Sequence, residues 1–306
     1  MLRYDDLQVF VHTSDSGSLS AAARQLEISP AVASAALKRL ESELEVRLFA
    51  RSTRSLRLTP EGDAFLLHAR ASLRSLEEGR RLLQGGKDQI AGVLQLSAPS
   101  DFGRNLLLPW LDEFQARYPQ LSLRLLLGDR VTDLYRQPVD VAIRYGAPAD
   151  SSLVALPLAP DNRRVLCAAP GYLAERGEPR QPDDLREHNC LLYQLGGRVH
   201  DRWAFQRGRR SLPLTVAGDR VCDDADVVRR WALAGKGLVY KSWLDVAEDV
   251  RAGRLRLLLP EWQGEATPMN LLCTHRAQLT RPVTLLRAFV RERCDALLAE
   301  APWTRN

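Results

Sequence analysis

The sequence has few cysteines and few histidines, and both residue types are widely spaced. The five cysteines stand at positions 167, 190, 222, 273 and 294, and the five histidines are equally scattered. No C-x-x-C pair and no Cys/His cluster occurs, so the pattern predicts neither a zinc site nor a paired-cysteine motif. Isolated cysteines in a chain of this size are typical of small buried side chains in a reducing cytosol.

Long apolar runs are also missing. No stretch approaches the roughly 18–20 apolar residues that a membrane-spanning helix needs, so we expect no transmembrane segment. The first residues, Met1–Asp6, carry one arginine and two aspartates where a secretory signal would carry an apolar stretch. We therefore expect a cytoplasmic protein.

Common catalytic motifs are absent as well. The chain contains no G-x-S-x-G, H-E-x-x-H or G-x-G-x-x-G sequence. Gly235–Ser242 comes nearest to a phosphate-binding P-loop, but Tyr240 stands where that loop needs glycine. We expect no enzymatic activity, no metal and no cofactor.

The composition is that of an ordinary globular protein with a basic excess. With 45% hydrophobic and 26% charged residues over 306 positions, the chain can form two or three packed domains. The formal net charge of +5 permits a polyanionic partner without identifying one.

Three short helices are predicted in the first fifty residues. Leu7, Phe10 and Val11 define an amphipathic first helix over residues 5–15, and Ser18 can cap the second. Ser29-Pro30 is a strong start for a third helix, whose buried stripe is Ala33, Leu37, Leu40 and Leu44. The opposite side of this third helix carries only small or polar residues and one lysine.

This arrangement predicts a helix-turn-helix over about residues 18–38, in which the second helix of the motif enters the major groove of DNA. A flat, alanine-lined helix can lie deep in the groove, and an arginine-bearing hairpin after it can contact the backbone. A packing face and solvated arginines are the structural alternative. The predicted DNA contacts are Ser29, Pro30, Ala31, Ser34, Ala35, Lys38, Arg51 and Arg54.

A long helix is predicted from Thr59-Pro60 to about Gln84, where Gly85-Gly86 follows. Its apolar positions recur at heptad spacing, with Arg80 as the exception, so we interpret the stripe as a dimer seam. Packing within its own chain is the alternative. The stripe comprises Leu66, Ala69, Leu73, Leu76, Arg80 and Leu83.

From Val93 onward, strands alternate with helices, which predicts an α/β domain with a mainly parallel sheet. The expected strands include Val93–Ser97, a buried Leu121–Leu127 and Val139–Ile143. A short helix is expected over residues 131–136, and a long final helix over Pro282–Leu298.

These residues resemble the LysR-type family of transcriptional regulators. The similarity lies in Gly17–Leu26, Ser29–Ser34, Leu37–Glu41, Arg47–Arg54 and Leu58–Gly62, and continues in Ser97–Gly103, Asp140–Arg144 and Leu233–Leu238. It spans residues 1 to about 300.

The resemblance implies an all-α winged helix-turn-helix domain followed by an α/β effector domain of two Rossmann-like lobes, similar to periplasmic solute-binding proteins. The implied boundaries are 1–59 for the DNA-binding domain, 60–87 for the linker helix, and 92–301 for the effector domain. Lobe I would be 92–161 plus 268–301, and lobe II 162–267. Implied partners are double-stranded promoter DNA, a small-molecule effector, and further copies of the chain, as a homodimer through the linker helix and then a homotetramer.

Two positions depart from the family pattern. Many members carry a basic residue where this chain has Ala35, which predicts a missing or moved DNA contact. Many carry glycine where this chain has Glu45, which predicts a different end to the third helix.

In two-lobed α/β domains, ligands bind between the lobes, near strand ends and helix N-termini. The predicted effector contacts are Ser100, Asp101, Phe102, Asp129, Arg144, Asp223 and Asp224. Arg144 can bind a carboxylate, whereas the aspartates oppose an anion unless they point away. Helix capping by Ser100 and Asp224, and an internal ion pair for Arg144, are the structural alternatives.

A solute-binding protein is the alternative function, because it would explain the α/β half. The missing signal segment and the first ninety residues oppose it. The sequence therefore predicts a DNA-binding transcriptional regulator that responds to a small molecule.

Overall fold

The computed structural model describes residues 1–304 except 52–55, 84–89, 130–138, 148–152 and 196. Arg54, the helix expected over residues 131–136 and the end of the linker helix beyond Leu83 lie outside the described residues. The chain divides into an N-terminal unit within Met1–Gln89 and a C-terminal unit from Ile90 onward. No helix in the described part is both long enough and apolar enough to span a membrane.

The described residues of the N-terminal unit form four helices and a two-stranded hairpin. They are α1 Tyr4–Ser16, α2 Leu19–Gln25, α3 Pro30–Leu44, the antiparallel strands β1 Phe49–Arg51 and β2 Leu56–Leu58, and α4 Pro60–Leu83. Both predicted serine caps form: Ser18 accepts a hydrogen bond from the Ala21 N–H (3.3 Å), and Ser29 from the Val32 N–H (3.2 Å). The hairpin is the wing, and the other regular elements described in this unit are helices.

A buried carboxylate attaches the wing to α3. Glu41, near the end of α3, accepts hydrogen bonds from the backbone N–H groups of Leu48 (2.9 Å) and Phe49 (3.3 Å). It also forms an ion pair with Arg47 (2.9 Å). Phe49 packs edge-on against Phe10 of α1 with ring centroids 5.6 Å apart. The hairpin is therefore held by charge-assisted hydrogen bonds as well as by apolar packing.

The prediction of a different end to α3 is wrong. Glu45 adopts the left-handed conformation (φ 56°, ψ 24°) that glycine would adopt, and the Val46 N–H bonds to the Glu41 carbonyl (3.2 Å). The Glu45 side chain is exposed, so tertiary contacts of the following wing impose the conformation at a strain of about 1–2 kcal/mol.

The interpretation of the whole α4 stripe as a dimer seam is also wrong in its first half. Leu66 and Ala69 are buried in the core of their own unit beside Leu37 and Leu40, and Leu73 packs against the same cluster. Further along the helix Leu76 is 58% exposed. Among the stripe positions whose side chains the structure describes, Leu76 is the apolar one left exposed to a partner.

The C-terminal unit contains two main mixed sheets. The first has the order β4-β3-β5-β16-β6, from β3 Gly92–Ala98, β4 Leu121–Leu127, β5 Val141–Tyr145, β6 Val154–Ala159 and β16 Met269–Cys273. The second has the order β12-β8-β13-β7-β14, from β7 Arg164–Ala168, β8 Cys190–Leu195, β12 Val221–Cys222, β13 Leu238–Ser242 and β14 Arg256–Leu258. The remaining strands are β9 Arg198–Val199, which pairs with β8, and a small sheet of β10 Arg202–Arg207, β11 Arg210–Thr215 and β15 Gln263–Gly264.

The expectation of a mainly parallel sheet is wrong, because both main sheets are half antiparallel. In the first, β3 pairs parallel with β4 and β5, whereas β16 pairs antiparallel with β5 and β6. Only four residues separate β6 from β7, too few for a crossover helix. The chain therefore leaves one sheet and enters the next directly. Strand β4 is an edge strand with alternating burial, not the fully buried strand expected.

Helices cover these sheets and form their core with them. They are α5 Ser100–Phe102, a π-helical turn Gly103–Leu107, α6 Leu108–Arg117, α7 Pro170–Arg176, α8 Ala225–Leu233, α9 Trp243–Arg251 and α10 Arg281–Leu298. Two 3-10 turns, Pro182–Glu187 and Arg276–Gln278, complete the unit. One apolar cluster joins strands of both sheets to α6, α8, α9 and α10. The two lobes thus share a core and form one compact unit.

Candidate functional site

The predicted reading face of α3 is exposed. Ala31, Ala35 and Lys38 are exposed, and Ser34 is partly exposed. On the opposite side Ala33 and Ala36 are buried against Val9 of α1 and Ala23 of α2. Because Ala31, Ser34 and Ala35 are small, the outward surface of the helix is shallow.

Three neighbouring positions refine this surface. Ser29 and Pro30 lie exposed at the start of the helix, with the Ser29 hydroxyl already used as the cap. Val32 is 51% exposed and was missed by the sequence reasoning, because a valine is usually assigned to the core. In the wing, the Arg51 backbone pairs with Leu56, and Arg57 on β2 is exposed.

A cavity of about 240 Å³ lies in the C-terminal unit, lined by residues from both main sheets. The first sheet and its loops contribute Asp129, Arg144 and Tyr145, and the second contributes Tyr193 and Lys241. Of the seven predicted effector contacts, Asp101, Asp129 and Arg144 line this cavity.

The structural alternative for Ser100, helix capping, is wrong, because Pro99 occupies the N-cap position. The Ser100 hydroxyl instead bonds to the Asp129 carboxylate, and its backbone N–H bonds to the same group at 2.9 Å. The Ala225 N–H, at the start of α8, reaches Asp129 at 2.7 Å. Asp129 therefore bridges a loop of the first sheet to a helix of the second, and the Ser100 hydroxyl is fully engaged.

Arg144 has no internal ion pair among the described residues. Its guanidinium donates to the Ile143 carbonyl and to the Ser97 hydroxyl, both at 2.7 Å. Burial lowers the pKa of Arg144 and the charge of Asp129 opposes this shift. The side chain is thus a buried cation held by neutral groups, with the remaining donors available at the cavity.

The other aspartate of the cavity lies in a buried charge cluster. Lys241, only 2% exposed, pairs with Asp101 and with Asp245 (3.3 Å), and Asp245 accepts a hydrogen bond from the Tyr145 hydroxyl (2.5 Å). Burial lowers the pKa of Lys241, but the two aspartates outweigh it and raise the pKa, so the ammonium stays charged. Burial also raises the pKa of Asp101, to about 7, although Lys241 opposes the rise.

Four predicted residues lie away from the cavity lining. Phe102 is fully buried in the core, where it packs edge-on against Trp110. Asp224 caps α8, which is the structural alternative given for it, and forms an ion pair with Arg104 (2.9 Å). Burial raises the pKa of Asp224, but hydrogen bonds from Arg104 and Ser100 outweigh burial and lower the pKa. Ser100 acts through Asp129, and Asp223 is exposed.

Sequence reasoning missed the second-sheet side of the cavity. Tyr193 and His200 stack with centroids 5.2 Å apart, and His200 Nε2 lies 3.3 Å from Glu265. Burial raises the pKa of Glu265, but His200 and Arg164 outweigh it and lower the pKa. Lys241 is a charged residue inside an apolar strand, which is a signal that the sequence offers. Glu265 lies 65 residues beyond His200, and the sequence gives no sign that the two meet.

Within the described part of the chain, no group of three or more His, Cys, Asp or Glu side chains is placed to hold a metal ion. The cavity polar groups are instead suited to an organic molecule with few hydrogen-bonding groups.

Comparison with known proteins supplies the identity of both units. Residues 4–63 match the model described as bacterial regulatory helix-turn-helix protein, lysR family, and residues 87–295 match the LysR substrate binding domain. The chain is 32% identical over 275 residues to the HTH-type transcriptional regulator DmlR of Escherichia coli K12, covering 90% of this chain and 88% of that one. It is 32% identical over 283 residues to the transcriptional activator TtdR of the same strain, covering 92% and 89%.

Solved structures agree with these matches. CrgA, a LysR-type transcriptional regulator from Neisseria meningitidis, is 30% identical with a TM-score of 0.59, covering 95% of this chain and 99% of that one. A full-length OxyR variant from Pseudomonas aeruginosa has a TM-score of 0.68 at 17% identity, covering 96% and 95%, and shows the fold alone.

Proposed function

Because this chain belongs to the LysR family of effector-modulated, DNA-binding transcriptional regulators, we propose that α3 reads the major groove through Ala31, Ser34, Ala35 and Lys38. The exposed, small-residue face of α3 is the observation that carries this proposal. The alanine methyls suit thymine methyls, the Ser34 hydroxyl a base edge or phosphate, and Lys38 a phosphate.

Ser29 and Pro30 at the tip of α3, and Arg51 and Arg54 in the wing, complete the proposed contact surface. Pro30 has no N–H and offers only apolar contact. Each arginine that neutralises a phosphate releases counterions, so we expect binding to weaken steeply with salt. Because Ala35 replaces a basic residue, contacts to the DNA phosphate backbone depend more on Lys38 and the wing.

A carboxylate on the reading face tests this placement. We expect Ser34→Glu to abolish specific operator binding, by at least about a hundredfold, because it brings a negative charge to the phosphates. Ser42→Glu, an exposed site farther along the same helix, is the matched control. Fluorescence anisotropy with labelled operator measures binding, and circular dichroism measures folding. Normal operator affinity of folded Ser34→Glu would refute the placement of α3.

We propose that the regulator acts in the cytoplasm, without catalysis, as a homodimer that assembles further into a homotetramer. The exposed Leu76 on α4 supports a partner contact there. Leu76→Glu should shift the dimer toward monomer in light scattering, because it places a charge in an apolar seam. Ser75→Glu, exposed on another side of the helix, should not. Equal masses for both variants would place the dimer contact elsewhere.

We propose that the cavity is the effector site and that an effector acts by shifting the arrangement of the lobes. The polar bonds that cross between them support this: Asp129 to Ala225, Tyr145 to Asp245, and Arg104 to Asp224. A coupling of about 1–3 kcal/mol between effector and DNA is sufficient for regulation. An effector that binds at saturation without changing DNA affinity or footprint would contradict this mechanism.

A further inference from the structure

The C-terminal unit contains a second cavity, of about 390 Å³, beside strands β7 and β14. Its wall also includes residues 259–264 and, from the end of the chain, Pro302 and Trp303. Among the described residues, Arg164 is the one that lines both this second cavity and the proposed effector cavity. The volume falls within the roughly 300–1,000 Å³ that organic ligands occupy, so the second cavity is large enough to be a binding site of its own.

Four aromatic side chains of the described residues line the second cavity. Phe205 and Tyr240 are buried, with ring centroids 5.2 Å apart. Trp262 and Trp303 are each partly exposed. Aromatic rings interact through offset stacking and edge-on contacts, which a flat ring can make and a saturated ring cannot. The lining therefore favours a planar aromatic molecule.

A tight turn fixes the position of Trp262. The Trp262 N–H bonds to the Leu259 carbonyl at 2.9 Å, and Leu259 itself adopts a left-handed backbone with φ 50°. This conformation is unfavourable for leucine and persists only where surrounding contacts impose it, as they do for this side chain, which is 5% exposed. Strained backbone of this kind is concentrated at ligand sites. The tryptophan is thus held at the cavity by a turn that the core keeps in place.

The charged side chains of the lining already have partners of opposite charge. Arg207 and Glu261 form an ion pair at 2.7 Å. Arg164 lies 3.6 Å from Glu265, which is not part of this lining. Because each guanidinium has a carboxylate partner, the second cavity does not require a charged ligand to compensate it.

Polar groups remain available for the edge of a ring. The Tyr240 hydroxyl is committed, since it donates to the Ala204 carbonyl (2.7 Å) and accepts from the Glu265 N–H (2.6 Å). Gln263 is exposed and carries both a donor and an acceptor on one amide. A heteroaromatic edge with adjacent donor and acceptor groups can bond to both, whereas the edge of a hydrocarbon ring cannot.

We propose that the second cavity binds a planar heteroaromatic molecule of no net charge, with its ring against Trp262 and Trp303 and its edge bonded to Gln263. The inference concerns a different site from the effector cavity and does not depend on the role proposed for that cavity. The volume fits a small fused ring system.

Calorimetric titration of the full-length protein with matched probes tests this ligand class. Adenine, indole and isatin are neutral, planar and heteroaromatic. Saturated bicyclic lactams keep the polar edge without the flat ring, and indole carboxylate adds a charge. We expect the planar neutral probes to bind about tenfold more tightly than the lactams or the carboxylate, because the lactams cannot stack and the carboxylate loses hydration without a free cation to meet it. The opposite order of affinity, or no binding by any planar neutral probe, overturns the proposal.

Two variants locate the probe in the second cavity. Trp262→Leu keeps an apolar side chain but removes the flat ring, and should weaken binding of the planar probes about tenfold. Trp231→Leu, at a partly exposed tryptophan outside this lining, should leave their affinity unchanged. Gln263→Ala should weaken binding about fivefold, whereas Gln120→Ala, at an exposed glutamine between α6 and β4, should not. Because Gln263 is exposed, its variant keeps the test decisive if Trp262→Leu fails to fold.

Arg144→Gln separates the two cavities, because Arg144 lines only the effector cavity. We expect unchanged affinity for the planar probes in this variant. Loss of binding in Arg144→Gln, together with normal binding in folded Trp262→Leu and Gln263→Ala, would place the probes in the effector cavity and overturn the assignment. Urea unfolding checks that each variant is folded.

Discussion

Asp129→Asn should weaken the C-terminal unit, because one carboxylate holds three donors from two lobes. It receives the Ser100 N–H (2.9 Å), the Ala225 N–H (2.7 Å) and the Ser100 hydroxyl. An amide keeps one acceptor oxygen and turns an NH2 group toward donors, so at least one bond is lost. Hydrogen bonds to charged groups contribute about 1.5–3 kcal/mol each, which predicts a loss of about 2–4 kcal/mol in the free energy of unfolding.

Urea unfolding followed by tryptophan fluorescence measures this change, since all six tryptophans lie beyond residue 109. Asp112→Asn, on the exposed side of α6, is the matched control and should change stability by less than about 0.5 kcal/mol. Ser100→Ala keeps the backbone N–H and should cost about 1 kcal/mol. If Asp129→Asn unfolds at the same urea concentration as the control, the carboxylate does not hold the lobes and the reasoning fails.

Two further predictions concern strain and pH. Glu45→Gly should raise the free energy of unfolding of the N-terminal unit by about 1 kcal/mol, because glycine adopts φ 56° without strain; an unchanged or lower melting temperature would show that Glu45 is unstrained. Burial raises the pKa of Asp101 from 3.8 to about 7 in the folded state. The folded state therefore binds the Asp101 proton more tightly than the unfolded state does, and the resulting contribution to stability is fully present below pH 3.8 and is lost as the pH rises through 7. Asp101→Asn, which has no such proton, should flatten stability between these pH values, and an unaltered slope in urea titrations at several pH values would refute the assignment.

The features that the sequence predicted well depend on local signals. Ser18 and Ser29 cap helices through bonds from N–H groups three positions ahead, and Pro30 has a fixed φ suited to the first helical position, so their roles are readable without tertiary structure. The exposed face of α3 follows from helical periodicity, which buries Ala33 and Leu37 and exposes the other side. The family motifs identify the order of the units for the same reason.

The features that sequence reasoning missed depend on long-range pairing. The glycine that many family members carry at position 45 marked this place, but nothing in the glutamate itself indicates the left-handed backbone that the structure shows there. The order of strands makes β4 an edge strand and brings His200 to Glu265 and Tyr193 to the cavity. Ser100 was predicted to offer its hydroxyl to an effector, but that hydroxyl bonds to Asp129, which lies 29 residues away in sequence.

The Glu41 carboxylate has a consequence for how operators are chosen. Because it fastens the hairpin to α3, we expect the distance between the proposed base-contacting helix and the proposed backbone-contacting wing to change little on binding. Differences in groove width must then be absorbed by the duplex rather than by the domain. Operators that share the contacted bases but differ in the deformability of the flanking base steps should therefore differ in affinity. Deformability of the flanking steps would then contribute to sequence specificity.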